Sequence, residues 1–292
     1  MCDENTVEES ERYLAAESGV SRRQFGAMAT VAAMSMALPR VANAAEVTEA
    51  EVSVNTPDGI TDAYFVHPAT GKHPGVIVWP DILGLRPAYR LMGKRLAESG
   101  YAVLVVNPYY RMAQAPVVAP GESFQDESTR NKVLPYARAL TPETNVTDAR
   151  AYVAWLDAQQ AVDTGRLIGT TGYCMGGPMT MRTAAAVPDR IGAGASFHGG
   201  RLATDAPDSP HLLVPTMQAS FLFAIAENDD EREPEAKNIL RQSFDAAGLD
   251  AEIEVYEGAM HGWCALDSRV YHEAQAERAW SRLLVLFEKA LA

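Results

Sequence analysis

The 292-residue chain carries 38 acidic against 25 basic side chains, a formal net charge of −13. That balance excludes a general nucleic-acid or anionic-membrane binder, since either needs a basic face. Three cysteines, at positions 2, 174 and 264, are too few and too scattered for a disulfide framework or a metal site, which leaves a reactive thiol as the better use for one of them.

The amino terminus is acidic up to Val20 and then reads Ser21-Arg22-Arg23-Gln24-Phe25. An arginine pair, a weakly apolar Ala/Met run to Leu38 and the small residues Ala42-Asn43-Ala44 follow the pattern of a twin-arginine export signal. The run is too short and alanine-rich to span a bilayer that needs ~20 residues. The expectation is therefore a signal over 1–44, cleavage after Ala44, no membrane anchor thereafter, and a single domain over 45–292, periplasmic or secreted.

Residues 46–56 and 60–67 alternate as half-buried strands do, around the turn Thr56-Pro57-Asp58-Gly59. Pro74 to Trp79 is continuously apolar, as a strand covered on both faces is. Pro80-Asp81-Ile82-Leu83-Gly84-Leu85 breaks it, and a helix through Leu91, Met92 and Leu96 leads into a second buried strand, Ala102 to Val106. Residues 112–145 read as an excursion over the strand ends, with one short helix near 124–134. A firmer helix is expected from Asp148 to Gln159, capped by Thr147 or Asn145. Strands follow at 167–171, 191–197, 220–226 and 251–256, with helices at 234–247 and 271–291. Repeated β-then-α units predict a mostly parallel sheet with helices on both faces, of α/β class.

The organising stretch is Gly172-Tyr173-Cys174-Met175-Gly176-Gly177, between an apolar strand and an alanine-rich helix. A strand that turns at once into a helix, with one residue thrust out at the apex, needs glycine two positions to either side. Cys174 stands where most such elbows carry serine, which points to covalent attack by a thiolate. In α/β-hydrolases nucleophile, acid and base follow one another in that chain order. Glu227-Asn228-Asp229-Asp230 after one strand and His261 after the next supply acid and base. Asp229 and Asp230 are not separated by spacing. His198, in Phe197-His198-Gly199-Gly200, also ends a strand but precedes the acid, which places it near the site and outside the triad. The backbone N–H groups of Ile82 and Met175 are the candidate oxyanion donors. Cys264 is structural, or reaches Cys174 on oxidation. Trp263, Tyr109 and Tyr110 read as pocket or core aromatics.

These motifs, with Asn107-Pro108-Tyr109-Tyr110-Arg111 and His261-Gly262-Trp263, resemble the dienelactone hydrolase family across the chain from the first hairpin to the last helix. The resemblance implies the α/β-hydrolase fold, a Cys174-Asp229-His261 triad, no cofactor, and hydrolysis of a small ester or enol-lactone through an acyl-thioenzyme. It implies that Asp81, where the family has glutamate, assists thiolate formation; a helix cap is the alternative. It further implies a substrate carboxylate gripped by arginines, one matched by Arg130. The second falls on Ala265, with Arg111 or Arg269 as substitutes, and Tyr109 and Trp263 complete the expected substrate-binding set. A silent binding protein on the same fold, and a general carboxylesterase or acyl-transferring enzyme, are the rival functions. The oligomeric state is left open.

Overall fold

The computed structural model describes residues 4–16, 34–35, 38–39 and 41–292; the arginine pair Arg22-Arg23, Cys2 and most of the apolar run after the pair lie outside the described residues. Near the amino terminus comes helix α1 (Glu4–Ala16), followed by hairpin strands β1 (Val47–Thr56) and β2 (Gly59–Pro68). Then come β3 (Gly75–Trp79), α2 (Pro87–Glu98), β4 (Ala102–Val106), α3 (Glu127–Arg138) and α4 (Pro142–Asp157). The elbow unit is β5 (Ile168–Tyr173) and α5 (Gly176–Ala186), and β6 (Ile191–Phe197) follows it. A 3₁₀ turn (Pro210–Thr216), β7 (Ser220–Ala226), α6 (Glu227–Arg232), α7 (Ala236–Ala247), β8 (Ala251–Tyr256) and α8 (Glu273–Ala290) complete the chain.

Among the described residues the strands form one eight-stranded sheet in the order β1-β2-β4-β3-β5-β6-β7-β8. The β1–β2 and β2–β4 pairs are antiparallel, and every later pair is parallel. This is the α/β-hydrolase arrangement expected from the sequence. Strands β3, β4, β5 and β6 are buried at every position, because helices cover both of their faces. Edge strand β8 instead alternates Ile253 and Val255 with Glu252 and Glu254. Its glutamates meet Arg282 and Arg278 of α8, which blunts an otherwise open sheet edge.

The sheet divides the interior into two cores. Tyr152 and Leu156 of α4, Met179 of α5 and Phe244 of α7 pack on one face. Tyr89 and Leu96 of α2 pack with Leu283 and Phe287 of α8 on the other. Cys174 belongs to the first core and Cys264 to the second, and both are free thiols. The sheet stands between them, so the oxidative pairing entertained for Cys264 has no path in the folded chain.

The helix expected at 148–159 starts earlier. Thr141 is its N-cap and forms a reciprocal capping box with Thr144, while Pro142 occupies the first helical position, where its missing N–H costs nothing. Neither Thr147 nor Asn145 is the cap. The short helix expected near 124–134 runs Glu127–Arg138 and tolerates Pro135 inside it.

Candidate active site

The nucleophile elbow forms because two glycines leave no alternative. A Cβ on Gly172 would meet the Gly176 carbonyl oxygen at 2.1 Å, and one on Gly176 would meet the Trp79 carbonyl oxygen at 2.3 Å. Both obstacles are backbone and cannot swing aside. The turn leaves Cys174 at φ 52°, the left-handed region that a side-chain-bearing residue seldom adopts, with its N–H bonded to the Phe197 carbonyl at 3.0 Å. The thiol is buried at the carboxyl ends of β5 and β6.

The other two residues arrive on the next strand ends. Asp229 lies in the short helix α6 after β7, and His261 lies in the turn after β8. Both Asp229 carboxylate oxygens are within hydrogen-bond distance of His261 Nδ1, at 2.7 and 2.9 Å. Asn228 fixes the same loop by accepting the His261 backbone N–H at 2.8 Å. Asp230 turns away into an ion pair with Lys237, which separates the two aspartates that spacing alone left equivalent. The imidazole is also hydrogen-bonded to Cys174.

Electrostatics follow from this placement. Burial works to lower the His261 pKa, but the Asp229 carboxylate and Cys174 overcome it and carry the imidazole up to about 10. Burial would raise Asp229, and the neighbouring His261 instead holds it below the usual carboxylate range. His198 is the contrast. Buried at φ 41°, with neither ring nitrogen bonded to a protein group, it is pushed well below 6.5, first by desolvation and then by the His261 charge. It stacks edge-on to His261 at 5.0 Å and to Trp263 at 5.1 Å, a neutral wall beside the charged ring.

Neither the Ile82 nor the Met175 backbone N–H donates to another protein group among the described residues. The two loops that carry them are tied together by Tyr109, whose hydroxyl donates to the Ile82 carbonyl at 2.8 Å and touches the Met175 sulfur at 3.4 Å. Tyr109 is therefore buried behind the site, where it positions the loops and lines neither recess beside the thiol.

Two recesses open beside Cys174. One is lined by His261, His198, Asp81, Arg86, Asp267 and Arg269, and helix α1 lies over it through Thr6, Val7 and Ser10. Glu9 of that helix accepts a hydrogen bond from Asn228 at 2.6 Å and pairs with Arg232. The other recess is lined by Met175, Met179, Arg182, Asn145 and Arg201. A further cavity, around Arg95, Tyr173, Cys264 and Glu277, contains neither Cys174 nor His261.

The expected anion-binding set is corrected on several points. Arg130 does not face the thiol; it donates to the Phe124 and Gln125 carbonyls, at 3.2 and 2.6 Å, and braces that loop from behind. Arg111 is held by Asp58 and Asp148 beyond both recesses. Arg269 does reach the first recess, with its donors engaged by Gln125 and Asp126. Trp263 is fully buried, stacked on Tyr256, and lines neither recess. Asp81 accepts the Leu83 N–H at 2.9 Å and both terminal nitrogens of Arg86, at 2.6 and 2.9 Å. It does not cap α2, whose N-cap position is Arg86 and carries no side-chain cap bond. The buried Arg86 is shared with Asp267, and this partly buried triplet had no signature in spacing, since its members are 5 and 181 residues apart. Among the described residues no group of three or more His, Cys, Asp or Glu side chains is arranged to hold a metal. Nor is any described helix long and apolar enough to cross a membrane.

The chain is similar to known proteins over most of its length. A Rhodococcus opacus protein named carboxymethylenebutenolidase is 27% identical over 251 residues, covering 84% of this chain and 94% of its own. An Escherichia coli K12 protein provisionally given that name is 30% identical over 232 residues, 78% of this chain and 82% of its own. A crystal structure from Klebsiella pneumoniae, provisionally described as a dienelactone hydrolase, superposes with a TM-score of 0.71 at 25% identity, covering 84% of this chain and 99% of that one. The model of the dienelactone hydrolase family matches residues 61–291, a span that runs from β2 to the end of the last helix and contains every residue of the elbow, acid and base positions; the chain belongs to that family.

Proposed function

We propose that this protein hydrolyses a small ester or enol-lactone through a cysteine acyl-enzyme formed on Cys174. The observation that carries the reading is His261, held by Asp229 at Nδ1 and hydrogen-bonded to Cys174, with its pKa raised to about 10. An imidazole so placed holds the thiol proton at neutral pH and leaves a thiolate beside its cation. The sulfur attacks the carbonyl carbon. Negative charge then develops on the carbonyl oxygen, toward the free N–H groups of Ile82 and Met175. Collapse breaks the C–O bond as His261 returns its proton to the leaving oxygen. Water, deprotonated by His261, then attacks the thioester carbonyl, the acid is released, and the thiolate re-forms. Asp229 stays ionised throughout and fixes the imidazole tautomer. The relatives named carboxymethylenebutenolidase support an enol-lactone among the substrates.

Cys174→Ala is expected to abolish turnover of ester and lactone substrates with melting temperature and circular dichroism preserved. Retention of most activity would remove the mechanism. Alkylation of Cys174 by iodoacetamide against pH separates an enzyme from a silent binder, because only the enzyme needs a thiol that titrates below the free value. Residues 1–44 are proposed as a twin-arginine export segment, which places the mature protein in the periplasm or outside the cell. Arg22→Lys with Arg23→Lys should then trap the precursor in the cytosolic fraction, and unchanged export would refute that assignment.

A further inference from the structure

We infer that His198 is a second working imidazole of the site: it holds the water that breaks the acyl-enzyme, accepting a hydrogen bond from that water while His261 removes its other proton. This rests on Cys174 acting as the nucleophile and adds a residue to the second half of the reaction.

The end of β6 places His198 where a histidine is hard to keep. Its backbone sits at φ 41°, in the left-handed region that glycine adopts without strain, although the glycines Gly199 and Gly200 stand only one and two positions further on. The side chain is 1% exposed. Both ring nitrogens are buried, and neither is bonded to a protein group among the described residues. Trp263 meets the ring edge-on at 5.1 Å and Tyr173 lies tilted to it at 6.1 Å, contacts that fix its plane. A buried imidazole is destabilising unless something bonds its nitrogens. Strained backbone and two orphaned nitrogens coincide at one residue, which is the pattern of a group retained for function.

What bonds them is set by where the ring stands. His198 lines the recess that His261 lines and is absent from the walls of the opposite one. The two imidazoles meet at 66° with centroids 5.0 Å apart. At that separation a single water, with hydrogen bonds of about 2.9 Å, can bridge a nitrogen of each ring. Other polar side chains of the recess are engaged: Asp81 and Asp267 hold Arg86, and Gln125 accepts from Arg269. Of the side chains lining it, His198 is the one with buried polar atoms left unpartnered among the described residues.

The second half-reaction needs such a group. His261 gives its proton to the departing alcohol oxygen, so the alcohol leaves from the His261 side and water enters where it stood. Acylation also removes the Cys174 contribution that raises the His261 pKa, which leaves an imidazole better suited to act as base. The water oxygen bonds to the thioester carbon, one of its protons passes to His261, and the C–S bond breaks with its electron pair returning to sulfur. The second hydrogen stays with the oxygen and is released in the acid product. Until then it points at the acceptor nitrogen of His198, which aims the oxygen lone pair at the carbonyl. Burial and the neighbouring His261 charge both oppose protonation of His198, so that nitrogen remains an acceptor.

The test uses the full chain with p-nitrophenyl acetate in stopped flow, where acylation appears as a burst of nitrophenolate and deacylation as the steady rate after it. His198→Gly suits the positive φ and removes the ring, whereas His198→Asn tolerates the same backbone and keeps an acceptor. His198→Gly is expected to slow deacylation about tenfold, to leave acylation within about threefold, and to leave acetyl on Cys174 in acid-quenched peptide maps. His198→Asn should lie between that variant and the wild type. Hydroxylamine competes with water for the acyl-enzyme without needing the water site, so the hydroxamate-to-acetate ratio should rise about tenfold in His198→Gly. A purely structural ring would act through His261, which serves both half-reactions, and would slow the two together with the ratio unmoved. That result, or an unchanged deacylation rate, overturns the water site. Undiminished hydrolysis by Cys174→Ala would instead overturn the nucleophile on which it rests, so the two failures are told apart.

Discussion

The two recesses flanking Cys174 carry similar numbers of charged side chains and use them in opposite ways. In the His261 recess Arg86 and Arg269 are each held by acidic or amide neighbours, and helix α1 lies across the opening. In the opposite recess the Arg182 Nε and the side-chain amide of the buried Asn145 have no partner among the described residues. Proximity of an arginine to a nucleophile therefore says little about anion binding. What decides is whether its donors are already satisfied, because displacing a bound carboxylate costs a ligand as much as it gains. On the paired side the arginine donors are already satisfied, whereas on the other side the Arg182 Nε and the Asn145 amide are not, among the described residues.

The comparison can be broken most severely at the base. Asp229→Asn should lower kcat by roughly 10³ to 10⁴, since the amide stabilises the wrong tautomer and no longer balances the imidazolium. Next comes Arg86→Ala, which leaves the partly buried Asp81 and Asp267 without their shared cation and should destabilise the fold by about 1–3 kcal/mol in chemical denaturation. Arg182→Ala should by contrast be neutral or slightly stabilising, because burial already opposes its charge and no pair is lost. Equal destabilisation by the two substitutions would erase the distinction drawn here.

A third measurement follows from the raised pKa of His261, about 10. A group whose pKa rises on folding contributes stability that is complete below its unfolded value, near 6.5, and is lost as pH climbs through the folded value. The melting temperature should thus decline between about pH 6.5 and 10, and the decline should flatten in Asp229→Asn. Smaller again is Tyr109→Phe, which unties the Ile82 loop from the Met175 loop. About one hydrogen bond is lost, so kcat should drop roughly three- to tenfold with KM little changed. Last, deleting residues 1–44 removes Thr6, Val7 and Ser10 from the lining of the His261 recess and should lower KM a few-fold for esters of bulky alcohols.

Some of the site was legible before any coordinates. Gly172 and Gly176 announced the elbow because no other residue type fits against the backbone there, and the apolar runs at β3 and β4 announced strands covered on both faces. The order Cys174, aspartate, His261 located the carboxylate–imidazole pair to within a residue. Asp229 and Asp230 could not be separated, because neighbours on one turn point in different directions and only the packed imidazole distinguishes them. Arg130 and Arg111 were misplaced for a related reason. Their partners, Phe124 and Gln125 for one and Asp58 and Asp148 for the other, satisfy their donors locally or across the hairpin. Asn145 passed as a cap candidate until Thr141 and Thr144 took that role and left its amide free.

By itself the amino-acid sequence determined the sheet and the elbow and singled out Cys174, an aspartate and His261 as candidates for nucleophile, acid and base, since each is marked by hydrophobic periodicity, steric exclusion or local strand-end position. Which arginines are occupied and which aspartate meets the imidazole were decided only by tertiary structure. Those outcomes depend on pairings between residues as far apart as Arg86 and Asp267, 181 positions along the chain, and such pairings are a property of folded space with no trace in local pattern.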